Sequence, residues 1–172
     1  MAQSVPAATI AVVDLEKVTS QCNACKTAKA ALTSQLNALK ARQASLAAPL
    51  EVEGKAIQAA ASALAGKAPD AALQARAQAF ETKRQAAGQE ISRQEQQIQR
   101  NQAYIQQQIA AKLGPIYQQV MQRRGANIMV EVSTTLATSA SLDVSGDVLA
   151  ALNASLPSLQ TIAPAQAAPQ GR

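Results

Sequence analysis

Two long stretches with few helix breakers, joined by one short segment, constrain this chain more than any other feature. Leu15 to Leu64 and Ala71 to about Gln122 each run for about 50 residues, with Gly66-Lys67-Ala68-Pro69-Asp70 between them. Gly and Pro together end helices and form turns. Each stretch would make roughly 75 Å of helix at about 1.5 Å per residue. The pattern predicts an antiparallel helical hairpin over residues 15–124, with its tip near residues 66–70 and the whole projecting from the rest of the chain.

A seam of mainly apolar residues, spaced alternately by four and three, supports the pairing of the two arms. The first arm has Val18, Cys22, Cys25, Lys29, Leu32, Leu36, Leu39, Gln43, Leu46, Leu50, Glu53, Ile57, Ala60 and Leu64 at these positions. The second has Leu73, Ala77, Phe80, Arg84, Ala87, Ile91, Gln94, Ile98, Asn101 and Ile105. The second seam is the more polar of the two. Both predict helices that pack along one partner.

Strand patterns occur on either side of the hairpin. Thr9–Asp14 is apolar and rich in β-branched residues, Asn127–Val132 alternates, and Thr134–Ala140 favours a further strand. A short helix follows, with Ser145 as a candidate N-cap. Residues 8–14 and 125–156 would form a body of about forty residues, which is too small to be stable without association. We therefore expect an oligomer, and an α+β fold that is predominantly α.

Five apolar residues of these strands are the candidates for oligomerisation contacts. They are Ile10, Val12, Ile128, Val130 and Val132. Residues 1–7 and 157–172 show no core pattern, and the Ala/Pro/Gln-rich end is typical of disorder.

Helix breakers inside the arms fall at matching heights. If residue i faces roughly residue 136 − i, Pro49 lies opposite Gly88, and Gly114-Pro115 lies opposite Cys22. Pro removes a helical hydrogen bond and Gly adds backbone freedom. The pairs predict one hinge halfway along the hairpin and another at its root. Isolated, tolerated kinks are the alternative interpretation.

Composition argues against an enzyme. The chain has no His and an aromatic content of 2%, and its eleven acidic residues form no obvious catalytic constellation. We expect no cofactor and no metal. No apolar run approaches the roughly 18 residues of a membrane span. The start, Met1-Ala2-Gln3-Ser4-Val5-Pro6, lacks the pattern of a signal peptide, which is consistent with a cytosolic protein or a mature secreted one.

Cys22-Asn23-Ala24-Cys25 has the spacing of a redox motif. A thioredoxin-like site would need a βαβ pattern nearby, and the surroundings predict one strand and a very long helix. Both cysteines lie on the seam, where they can serve as small apolar packing residues. A disulfide between them is a second interpretation, and catalysis the weakest.

Positive charge is concentrated in the hairpin. The net charge is +5, and residues 15–124 hold fifteen of the sixteen basic residues and seven of the eleven acidic ones. A basic hairpin would attract acidic polypeptides, and weakly an anionic membrane surface. An ordinary solvated surface is the alternative. Nucleic acid is a poor fit because stacking aromatics are missing. The candidate attracting residues are Lys40, Arg42, Lys55, Lys67 and Arg76.

The order of strand, long helix, tip, long helix, strands and short helix resembles the Skp/OmpH family of periplasmic chaperones. The local likeness lies in Thr9-Ile10-Ala11-Val12-Val13-Asp14, Ala77-Gln78-Ala79-Phe80-Glu81, Ile128-Met129-Val130-Glu131, and the block from Leu142 to Leu149. It covers about residues 8–156.

The resemblance implies a homotrimer that joins through its strands and holds unfolded outer-membrane proteins between three helical tentacles, without ATP, in the periplasm. Some members have a proposed lipopolysaccharide site, with a basic residue before the AQAFE-like block and a basic pair after it. Arg76 fits the first position, but Ala86 and Ala87 occupy the second. The resemblance therefore does not extend to lipopolysaccharide binding. A coiled-coil spacer or adaptor without client-holding activity is the alternative function.

Overall fold

The computed structural model describes residues 6–165, which are mostly helical. In order, the elements are β1 (Ile10–Val13), α1 (Leu15–Gln21), α2 (Asn23–Ala63), α3 (Ala71–Arg124), β2 (Ile128–Glu131), single 3-10 turns at Val132–Thr134 and Ala140–Leu142, and α4 (Ser145–Ser155). The chain divides into two compact units. We call them the hairpin, Thr33–Arg100, and the body, which comprises the described residues before 33 and after 100. The body thus includes helix ends that the sequence analysis assigned to the hairpin.

The long helices α2 and α3 pack together, as predicted, and meet through residues 64–70. Ala65 and Gly66 have positive φ angles of 48° and 90°, a conformation that ends helices and that Gly adopts without a steric penalty. The next helix begins after Asp70, whose carboxylate accepts a hydrogen bond from the Leu73 N–H at 2.8 Å. This N-cap satisfies one of the free N–H groups of the first turn.

Most seam positions of the hairpin are half-buried in the structure. Leu39 is buried, whereas Leu36 and Arg84 are exposed. The apolar spacing therefore predicted most of the residues with which the two arms face each other.

The body contains a two-stranded parallel sheet. Ile10 pairs with Ile128, and the register continues to Val13 opposite Glu131. On the other edge of β1, the Val144 N–H donates to the Val12 carbonyl at 2.9 Å. Within the described residues, β2 therefore has a neighbouring strand on one side only.

The core of the body is aliphatic. Val18, Val120, Val148 and Leu152 have no exposed surface, and Cys22 is equally buried beside them. These side chains bring together α1, the end of α3 and α4, with β1 and the start of α2 at the edges of the same cluster. Burial of aliphatic groups supplies the stabilisation that aromatic residues supply in many domains of this size.

The first arm does not run unbroken from Leu15, as the seam predicted. The helix stops at Cys22, whose ψ of 128° is not helical, and restarts at Asn23. Two N–H groups that a continuous helix would use find other acceptors. Asn23 donates to the Asn153 side-chain oxygen at 2.9 Å, and Cys25 donates to the Cys22 sulfur at 3.2 Å. A disulfide joins Cys22, at the break, to Cys25 in the first turn of α2.

Three predictions about the segment after α3 are wrong. Residues 134–140 form no strand, and Val132 lies in a 3-10 turn directly after β2. The Glu131 carboxylate caps this turn by accepting from the Ser133 N–H, a local bond that competes with continuation of the strand. Ser145 is the first residue of α4 rather than its N-cap, and its N–H donates to the Asp143 carboxylate at 2.8 Å.

The tail also differs from its prediction. Leu156 is buried, Leu159 packs on the core, and residues 160–163 make hydrogen bonds to α3. The prediction of disorder after Pro157 is therefore wrong for residues 157–163. The predicted disorder of residues 1–5 and 166–172 lies outside the described residues.

Candidate functional site

Three of the five basic residues singled out in the sequence are already ion-paired. Arg42 donates to both carboxylate oxygens of Glu90, at 2.6 and 3.1 Å. Arg76 makes the same two-pronged contact with Glu53, at 2.7 and 3.0 Å. Lys55 pairs with Glu51 one turn away, at 2.6 Å. The two arginine pairs link α2 to α3, so these charges contribute to the pairing of the arms.

The arginine pairs also shift the ionisation of their partners. The hydrogen bond from Arg76 lowers the pKa of Glu53, and the hydrogen bond from Arg42 lowers the pKa of Glu90. Both carboxylates therefore stay charged to lower pH than usual. Because the pairs lie on the surface, each contributes little to stability.

Lys40 and Lys67 are placed differently. Both side chains are exposed, and neither has an acidic group within 4 Å in the described part of the chain. Of the five residues, these two offer a charge that no internal partner offsets. The sequence could not separate them from Arg42 and Arg76, because the acidic partners of the arginines lie on the other arm.

The hinge candidates lie inside unbroken helices. Pro49 is within α2, and Gly88, Gly114 and Pro115 are within α3. An added Cβ at Gly88 or Gly114 would meet nothing within 4 Å. The structure therefore shows continuous helices at all four residues. Bending at them remains a prediction.

A cleft opens between the arms beside Pro49. It has a volume of about 430 Å³. The residues lining it are Leu46, Pro49, Leu50, Glu53, Lys83, Ala86, Ala87 and Glu90. A second hollow of about 300 Å³ shares Leu46, Leu50 and Ala87 with it. The small side chains at 86–88 leave this space, in contrast to Gly54, where the Phe80 ring fills the gap opposite.

Much of the apolar surface of the hairpin is only partly buried between its two arms. Leu39 is its one buried side chain among Thr33–Arg100, and Val52 is 70% exposed. Such a surface can bind apolar segments of another polypeptide, each of them weakly.

Four of the five proposed oligomerisation residues, Ile10, Val12, Ile128 and Val130, fall on one face of the sheet. Ile10 and Ile128 are opposite each other in the register and are exposed, and Val130 is half-buried. Val12, in contrast, is buried within its own chain. Val132 lies beyond the strand, in the 3-10 turn. The exposed apolar face is therefore narrower than predicted.

The cysteines form a disulfide and also pack in the core. Cys22 has no exposed surface and Cys25 very little, so the sulfur atoms do not face a substrate. Within residues 6–165, we find no group of three or more potential metal ligands. No helix in the same range is long and apolar enough to cross a membrane.

Sequence reasoning missed one polar surface, formed by Asn101, Tyr104 and Gln108 of α3. These side chains hold the chain's own tail through hydrogen bonds to residues 160 and 163. The seam spacing of the sequence includes Asn101. The polar character of this seam position was the one available signal.

Comparisons with known proteins agree with this architecture. A family model described as outer membrane protein (OmpH-like) matches residues 9–152. No curated protein matches the chain. Among solved structures, a candidate outer membrane chaperone (OmpH-like) from Caulobacter crescentus CB15 matches with a TM-score of 0.74, covering 93% of each chain at 17% identity. At that identity the likeness shows the fold. Because the family model covers most of the chain, the chain belongs to the OmpH/Skp family of outer membrane protein chaperones, which are not enzymes.

Proposed function

We propose that this protein is a holding chaperone that binds unfolded outer-membrane proteins in the periplasm and prevents their aggregation. It acts as a homotrimer, without ATP or a cofactor, and holds its client in the cavity between three hairpins. The observation that carries the proposal is the family match over residues 9–152.

The surface of the hairpin supports this role. A holding chaperone must offer many weak contacts, so that a client is retained by their sum and can still leave. Half-buried seam residues, exposed Val52 and the cleft beside Pro49 supply apolar contacts. Lys40 and Lys67 add unpaired positive charge that attracts acidic clients from a distance.

The sheet supports association between copies. Parallel sheets are normally covered on both faces, yet Ile10 and Ile128 remain exposed at one end of the face on which Val12 is buried. The outer edge of β2 also has no strand beside it within the described residues. Contact with another copy would cover both features.

Light scattering tests the proposal. An unfolded outer-membrane β-barrel protein is diluted from urea with and without the chaperone, and an unrelated helical protein at equal concentration serves as the control. We expect scattering to fall strongly when chaperone trimers exceed client, without added nucleotide. If the chain leaves scattering at the level of the control, it is a coiled-coil spacer or adaptor instead.

A further inference from the structure

The end of the described chain lies along α3 in a defined way. The Gln108 side chain makes two hydrogen bonds to the main chain of Gln160: its amide donates to the carbonyl at 2.9 Å, and its oxygen accepts from the N–H at 3.0 Å. Asn101 accepts from the Ala163 N–H at 2.8 Å. Two side chains of α3 therefore form hydrogen bonds with three main-chain groups of the tail.

The spacing of these contacts fits an extended chain. Asn101, Tyr104 and Gln108 share one face of α3, since residues three and seven apart on a helix point the same way. Asn101 and Gln108 are separated by roughly 10 Å along the helix axis. Three extended residues also span roughly 10 Å, so residues 160–163 cover the distance when nearly fully extended. The tail runs antiparallel to α3.

One of the hydrogen bonds between α3 and the tail uses a tail side chain, that of Gln160. The Tyr104 hydroxyl lies 3.1 Å from the Gln160 side-chain oxygen, and Leu159 packs on the core of the body. Three further hydrogen bonds use main-chain N–H and C=O groups of the tail, which every non-proline residue has. A surface of this kind binds an extended polypeptide with little regard to its sequence.

The tail also lies beyond the family match, which ends at residue 152.

We propose that Asn101, Tyr104 and Gln108 form a binding site for extended, unfolded polypeptide, and that the chain's own tail occupies this site until a client displaces it. The inference rests on the proposed function, because the displacing ligand is a client of the chaperone. It adds a site within the body part of α3 that binds main-chain groups of a polypeptide. The chain's own tail competes with the client for this site.

Competition of this kind has a measurable size. If the tail occupies the site nine-tenths of the time, its removal strengthens binding at this site by about tenfold, because apparent affinity scales with the fraction of competent sites. An occupied fraction of two-thirds would give about threefold.

Hydrogen exchange on the full-length protein tests displacement directly. The N–H groups of Gln160 and Ala163 should exchange about threefold to tenfold more slowly than in an unstructured chain, because both are hydrogen-bonded to α3 for two-thirds to nine-tenths of the time. Adding an unfolded outer-membrane β-barrel protein at saturation should accelerate both. If client binds and suppresses scattering while both N–H groups keep their protection, the tail is a structural strap and the inference is wrong, although the holding function stands.

Truncation tests competition. A chain ending at Pro157 should bind the same client about threefold to tenfold more tightly than a chain ending at Ala165, which keeps all the tail contacts described here. In the shorter chain, Gln108→Ala should abolish the gain, and Gln107→Ala, on the exposed side of α3, should preserve it. Equal affinities of the two truncated chains would overturn the proposal. Circular dichroism checks that the shorter chain is folded. If the shorter chain is unfolded, hydrogen exchange on the full-length protein tests the proposal instead.

Discussion

At the scale of single residues, Asp143 and Ser145 tie three parts of the body together. The Ser145 hydroxyl accepts from the Asp14 N–H at 2.8 Å, at the end of β1, and the Ser145 N–H donates to Asp143. Lys17 of α1 lies 3.7 Å from the same carboxylate. Hydrogen bonds from Ser145, and then the charge of Lys17, lower the pKa of Asp143 below its ordinary value of 3.8.

This shift predicts a pH-dependent contribution to stability. A carboxylate with a lowered folded-state pKa stabilises the fold above its unfolded pKa, and the stabilisation is lost as pH falls through the folded value. Asp143→Asn should therefore cost stability at pH 7, on the order of 0.5 kcal/mol because the group is half-exposed. The difference from wild type should vanish well below pH 3.8, as measured by urea unfolding. In a Ser145→Ala background the pH-dependent difference should shrink, and an unchanged one would contradict this account.

At the scale of elements, we expect different changes in stability when two glycines inside helices are replaced by Ala. Gly88→Ala should stabilise the protein by about 0.5–1 kcal/mol, because Ala is the better helix former and its Cβ meets open space. Gly54→Ala should gain less or lose stability, since its Cβ would lie 3.3 Å from the Phe80 ring. Thermal unfolding measures both. Equal gains would mean that the Phe80 ring moves aside at no cost.

The hinge prediction belongs to the same elements. Pro49→Ala combined with Gly88→Ala should narrow the range of shapes seen in X-ray scattering, because it restores a helical hydrogen bond and removes backbone freedom. An unchanged profile would identify both residues as tolerated kinks.

The long helices were predictable from sequence because their seams repeat over many turns. The break at Cys22 was not, since Cys22 and Cys25 also fit the steps of a continuous seam. Their disulfide and the Asn153 side chain, which is distant in sequence, compensate the lost helical bonds. The tail was missed for a related reason. Gln108 and Asn101 form hydrogen bonds with main-chain groups of the tail. Such bonds do not depend on the tail's side chains, so they leave no periodic pattern in its sequence.

At the scale of the whole molecule, the basic residues can affect two properties: the rate of client capture, through net charge, and stability, through local ion pairs. Lys40→Gln with Lys67→Gln should slow capture of an acidic unfolded client by about twofold to threefold at low salt, because long-range attraction follows net charge. Thermal stability should not change. Arg42→Gln with Arg76→Gln removes the same charge but leaves Glu90 and Glu53 without their arginine partners, so capture should slow and stability should also fall slightly, as expected for surface ion pairs.

Salt provides the control for this comparison. At about 0.5 M salt the Debye length is only about 4 Å, so wild type and both variants should capture the client at similar rates in stopped-flow measurements. If the lysine variant already matches wild type at low salt, the basic residues form an ordinary solvated surface and apolar contacts alone carry the binding.

Assembly is the remaining property at this scale, and the exposed face of the sheet predicts where it occurs. Ile10→Asp with Ile128→Asp places two like charges on paired strands, on the face expected to meet another copy. The variant should no longer form a trimer by light scattering, because a carboxylate buried without a partner costs more free energy than the contact gains. Val52→Asp, at a position 70% exposed on the hairpin, should remain a trimer. A double variant that stays trimeric with unchanged circular dichroism would place the contact elsewhere, and the outer edge of β2 would then be the next surface to change.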